Sequence, residues 1–228
     1  MLRVTAVSVE RRDLLHRRIR WIVAGTIAYN VVEAVVALAA GAAASSGALI
    51  GFGLDSTVEV LSAAAVAWQF TRRDPERWER DTLRVIAAAF FALAGYVTAS
   101  SAIALLTGSD AAHSPVGIVL TSLSLVVMPF LSRAERVAGR ELGSATAVAD
   151  STQTLICAYL SAAVLAGLML DSLLGWWWAD AVAGLVIAGF AVREGVEAWR
   201  GDACATSVGM LLEGEGEGEG EGEGEHEH

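Results

Sequence analysis

Two acidic residues in the segment GFGLDSTVEVLS, Asp55 and Glu59, stand four apart in otherwise apolar surroundings. On a helix that spacing puts both carboxylates on one face. Carboxylates about 6 Å apart repel by roughly 3 kcal/mol at an effective dielectric of about 20. Either a proton or a divalent cation relieves that repulsion, so the pair has the chemistry of a metal–proton exchange site. A second set lies in VADSTQTLICAYLS, where Asp150, Gln153 and Cys157 fall at i, i+3 and i+7. A third, in AYNVVEAVV, places Asn30 and Glu33 three apart. Counted at about 1.5 Å per helical residue, Glu33, Glu59 and Cys157 reach a similar depth in their segments. Asp55, Glu59, Gln153 and Cys157 form the expected metal site; Asn30, Glu33 and Asp150 are secondary candidates.

Each of these residues also has a plainer reading. A lone carboxylate such as Glu33 can bond a neighbouring helix. Gln153 suits an interhelical hydrogen bond as well as it suits a ligand. Cys157 alone packs like a small apolar residue. Asp150 could cap its helix, and Asp180, after three Trp, reads as an interfacial cap. None of the apolar segments contains His, which removes the usual zinc-hydrolase and Ser–His arrangements, so no enzyme is expected.

The segments that must carry these groups are long and apolar. Of 228 residues, 54% are hydrophobic and 18% charged. A chain needs about 20 apolar residues to cross a bilayer as a helix. Six runs approach that length, at 21–44, 48–70, 85–107, 116–132, 147–170 and 176–192. Pro129 near the end of the fourth is expected to kink or finish that helix. The expected fold class is therefore all-α, a polytopic membrane protein of six transmembrane helices. The third and fourth runs carry no charge in their cores and read as supporting helices.

All 16 basic residues are Arg, and they are segregated. Residues 1–20 hold six, 71–84 five, 133–140 three, and Arg193 and Arg200 follow the sixth run. The three alternate connections hold none. The positive-inside rule then puts both termini in the cytoplasm. The formal charge of −10 comes largely from eight Glu in the tail from Glu213 to Glu227, so no basic surface for nucleic acid exists. The expected domains are an Arg-rich cytoplasmic segment at 1–20, a six-helix transporter domain at 21–200, and a cytoplasmic Gly/Glu/His tail at 201–228, expected to be disordered.

Together these segments resemble the cation diffusion facilitator family of divalent-metal transporters. LDSTVEVLS is similar to the family's second-helix DxxxD element, with Glu59 in the last place. ADSTQTLIC resembles the fifth-helix Ala-Asp pair followed by HxxxD, but Gln153 and Cys157 stand where the family has His and Asp. ADAVAG resembles the sixth-helix ADPxA start, with Ala181 in the place of Pro. The AYN…E pattern of the first run is also similar. The resemblance implies export of a divalent cation from the cytoplasm in exchange for protons, across the plasma (inner) membrane. It also implies a branch that has only the membrane domain.

Two carboxylates, an amide and a thiolate suit Zn²⁺ first, with Mn²⁺, Fe²⁺, Co²⁺ or Cd²⁺ as alternatives. No resident cofactor is expected. The expected partners are the cation, protons and the lipid bilayer, with a homodimer left open and no nucleic acid. The competing reading is a non-transporting membrane scaffold or regulator with a degenerate metal site.

Overall fold

The structure is a computed structural model. It describes the backbone of residues 9–70, 75–108, 111–142 and 145–200, and their side chains except 9–20, 23, 66–70, 75–79, 139, 142, 145–150, 152 and 153. Asp150 and Gln153 therefore sit on a described helix, but their side chains lie outside the described residues, as does the 201–228 tail.

Among the described residues the chain forms six helices and no strand. They are α1 (Val9–Ala44), α2 (Gly47–Phe70), α3 (Pro75–Thr107), α4 (Pro115–Leu142), α5 (Ala145–Leu174) and α6 (Trp178–Arg200). Five contain stretches long and apolar enough to cross a membrane: Ala24–Ala44, Gly47–Ala65, Arg80–Thr107, Pro115–Ala138 and Thr154–Leu174. The sixth expected span falls outside that set. Asp180 near its start and Arg193, Glu194 and Glu197 near its end confine its charge-free stretch to 181–192.

The helices run past the expected spans. Pro129 does not finish α4, which continues through it to Leu142. A proline inside a membrane helix is tolerated because neighbouring helices and hydroxyl side chains take up the released backbone groups. The Arg-bearing segments at 75–84 and 133–140, expected as connections, are the ends of α3 and α4. Polar sequence ends an apolar run without ending its helix, since Glu and Arg are good helix formers.

Short caps turn the chain between helices. Ser45 adopts a positive φ of 53°, and Ser46 N–H returns to Gly41 O at 3.0 Å, closing α1. Ser46 Oγ then accepts from Leu49 N–H at 3.0 Å and opens α2. At the end of α5, Gly175 has φ 63°. Gly175 N–H reaches Asp171 O at 2.9 Å, an αL-type finish that favours glycine, and Trp176 N–H reaches Leu170 O at 3.4 Å.

The helices pack most closely as α1 with α2, α3 with α6, and α4 with α5, and α2 touches α1, α3, α5 and α6. One apolar core joins Ala37, Leu49, Phe52, Leu120, Leu160, Val164 and Ile187 from five helices. Another seats α3 on α6 through Ile86, Phe90, Leu93, Val97, Ala188 and Ala191. Gly95, whose spacing with Ala99 hints at a helix-packing face, has nothing within 4 Å and points away from this core. Large apolar side chains cover the outside: Leu106 is 87% exposed, Phe130 72% and Leu173 71%. Burying such a surface in lipid removes the cost it would carry in water.

Candidate metal centre

The position of α2 follows from close approach. A Cβ added at Gly53 would lie 2.9 Å from Leu38 N and 3.0 Å from Ala37 Cβ, so only glycine lets α1 come this near. That contact sets the polar face of α1 against the polar face of α2 two turns further along. Asp55 and Glu59 lie one helical turn apart on α2, with Asp55 buried and Glu59 half-buried.

Cys157, buried on α5, meets this pair. Ligand-capable atoms of Asp55, Glu59 and Cys157 all lie within 4.8 Å of one another. Cys157 Sγ–H donates to Glu59 Oε1 at 2.7 Å, and Asn30 Nδ2–H donates to Glu59 Oε2 at 2.7 Å. Asn30 is buried, and its Oδ1 has no hydrogen-bond partner. Met128 and Ala158 pack around Cys157, flanked by Tyr29 and Leu131. The structure thus brings together Asp55, Glu59, Cys157 and Asn30, from three helices.

Glu33 is not among the groups within 4.8 Å and makes its own hydrogen bonds beside them. Its carboxylate accepts from Ser56 Oγ at 2.9 Å and from Ser124 Oγ, whose oxygen lies 2.7 Å from the Tyr29 hydroxyl. Glu33 is 2% exposed, so these hydroxyls take the place of the water it has lost.

Two buried carboxylates have roles that the spacing of their own segments does not announce. Asp180 caps a different helix from the one that carries it. Its Oδ1 accepts from Ser46 Oγ at 2.5 Å and its Oδ2 from Ala48 N–H at 3.3 Å, at the start of α2. Glu135, in a stretch that reads as a charged connection, is 0% exposed. It accepts from Thr26 Oγ1 on α1 at 3.1 Å and from Thr154 Oγ1 on α5 at 2.9 Å. The signal that finds it is the run Met128, Ser132, Glu135, Ala138, all buried and spaced as one helix face. On α6, Arg193 pairs with Glu197, its Nε–H donating to Glu197 Oε1 at 2.8 Å.

Carboxylates and a thiol clustered inside an apolar bundle can exchange bound protons for a divalent cation. A family model described as the cation efflux transmembrane domain matches residues 26–200. None of the curated proteins compared with the chain matches it.

Proposed function

The chain belongs to the cation efflux family, and from that membership we propose that it exports a divalent metal cation from the cytoplasm in exchange for protons. As a family member it is a multi-pass membrane protein and a cation transporter of the cation diffusion facilitator kind, not an enzyme in the usual sense. Cargo, coupling ion and direction are our reading.

One observation carries it: Asp55, Glu59 and Cys157 place three charge-capable ligands within 4.8 Å of one another. The Cys157 thiol donates a hydrogen bond to Glu59. A metal ion binds thiolate rather than thiol, so the arriving ion displaces the thiol proton. Release of the ion on the far side lets the proton return, which couples the two flows. Carboxylate and thiolate together suit Zn²⁺ or Cd²⁺ better than a hard ion such as Mg²⁺. The unpartnered Oδ1 of Asn30 is a neutral oxygen available as a fourth ligand. Gln153, four residues before Cys157, is the other candidate for that place. Direction rests on the Arg-rich ends, which the positive-inside rule assigns to the cytoplasm of the plasma membrane.

The test is Zn²⁺-driven proton movement in proteoliposomes, compared between the native chain and Asp55→Asn. Proton release that follows Zn²⁺ uptake, and is lost in the variant, supports the exchange. Zn²⁺ flux without proton movement would leave a uniporter. Absence of any Zn²⁺, Mn²⁺ or Cd²⁺ flux in the native chain favours the scaffold reading, to which the Gln153 and Cys157 departures from the family pattern point.

A further inference from the structure

The backbones of α1 and α5 barely approach each other. Two carboxylates from other helices join them instead. Glu59, from α2, takes Asn30 on α1 and Cys157 on α5. Glu135, from α4, takes Thr26 on α1 and Thr154 on α5. Thr26 precedes Asn30 by four residues and Thr154 precedes Cys157 by three, so the Glu135 bridge lies about one turn, roughly 5–6 Å, nearer the Arg-rich ends.

The chemistry of the second bridge is unsuited to permanent cement. Apolar contacts among residues such as Leu49, Phe52, Leu160 and Ile187 join much of the bundle. A fully buried carboxylate carries a desolvation penalty that an apolar side chain in its place would not. In the closed seam the two hydroxyl donors offset that penalty, and water replaces both bonds once the seam opens. A link of this kind is weak enough to break and specific enough to re-form.

We propose that Glu135 latches the cation's access route: it closes the α1–α5 seam between the Arg-rich end of the bundle and the Asp55–Glu59–Cys157 cluster, and the seam parts there to admit the ion. Glu135 is a positioning residue in this scheme, acting on α1 and α5 and not on the cation. The proposal rests on the cluster being the cation site.

Cys157 lies behind the latch and reports on it. The experiment uses the full chain carrying Cys204→Ser, reconstituted in vesicles of known orientation. A membrane-impermeant maleimide is applied to one face at a time, and the rate of Cys157 labelling is read. Glu135→Ala should accelerate labelling from the Arg-rich face by about tenfold or more, the equilibrium effect of losing two hydrogen bonds to a charged group that water replaces in the open seam. Glu135→Gln keeps the size and one acceptor oxygen and should stay close to the native rate. Labelling from the opposite face should not change. An unchanged rate from the Arg-rich face overturns the proposal, and so does acceleration from both faces, which is general loosening. If Glu135→Ala does not fold, the pair Thr26→Val and Thr154→Val reads the same seam by the same criteria. Protection of Cys157 by Cd²⁺ is measured in the chain with native Glu135. Its absence counts against the cation site alone, whereas the face-specific rates judge the latch.

Discussion

Both carboxylate oxygens of Glu59 accept hydrogen bonds, Oε1 from Cys157 and Oε2 from Asn30. A cation bound between Asp55, Glu59 and Cys157 must replace the first of these. Glu59→Gln keeps the size of the side chain but removes the charge, and it should lower Zn²⁺ transport by about a hundredfold, the loss of one charged ligand at roughly 3 kcal/mol. Helical content should be unaffected, which circular dichroism checks; near-native transport would move the site elsewhere. Cys157→Ser exchanges a soft donor for a hard one. It should lower the Cd²⁺/Mn²⁺ affinity ratio by about tenfold or more, measured by calorimetry on purified protein. An unchanged ratio would assign Cys157 to packing alone. At this scale the sequence was readable where charge stood out against apolar neighbours, as at Asp55, Glu59 and Glu33. Ser56, Ser124, Thr26 and Thr154 were not readable, because a hydroxyl in a membrane helix can equally bond its own backbone. Thr57 does that, donating to Gly53 O at 2.7 Å.

The position of α2 depends on a contact and a cap. Gly53 lets α1 approach, and Asp180 from α6 holds the first turn of α2 through Ser46 and Ala48. Gly53→Val should cost about 1–3 kcal/mol by overpacking. It should also weaken Zn²⁺ binding, because pushing α1 away draws Asn30 from Glu59. A thermal melt and a metal titration on the same preparation test both halves; loss of stability with intact affinity would uncouple the contact from the site. Asp180→Ala should lower stability by about 1–3 kcal/mol through two lost hydrogen bonds to a buried carboxylate, with Asp180→Asn closer to native. A melting temperature unchanged in Asp180→Ala would show that the cap carries no stability. The extent of each helix was harder to read than its existence. Hydropathy marks where lipid begins, whereas α3 and α4 extend beyond it through polar residues whose backbone continues as helix.

Six successive helices make alternate connections face alternate sides if every helix crosses the bilayer. In a Cys157→Ser, Cys204→Ser background, single cysteines replacing His113 and Ala134 should then label from opposite faces. Both positions are exposed. Labelling of both from one face would overturn the topology and, with it, the assignment of the Arg-rich ends to the cytoplasm. The tail from Glu213 onward should be dispensable for transport, since EHEH on a Gly/Glu chain is no preorganised site. Truncation after Met210 should leave Zn²⁺ flux in proteoliposomes unchanged, and a large loss would make the tail a metal-delivery element.

Composition and spacing alone determined that this chain is helical, that it lives in a membrane, and that Asp55 and Glu59 share a face. These properties follow from the apolar length of each run and from the helical repeat, both of which are local. Which helices meet was decided only by tertiary structure. No periodicity in α4 assigns Glu135 to Thr26 and Thr154, and none in α6 assigns Asp180 to the head of α2. Such partners lie 19 to 134 residues apart in the chain. They are chosen by close packing of the whole bundle, in which a buried carboxylate must find its donors wherever neighbouring helices present them.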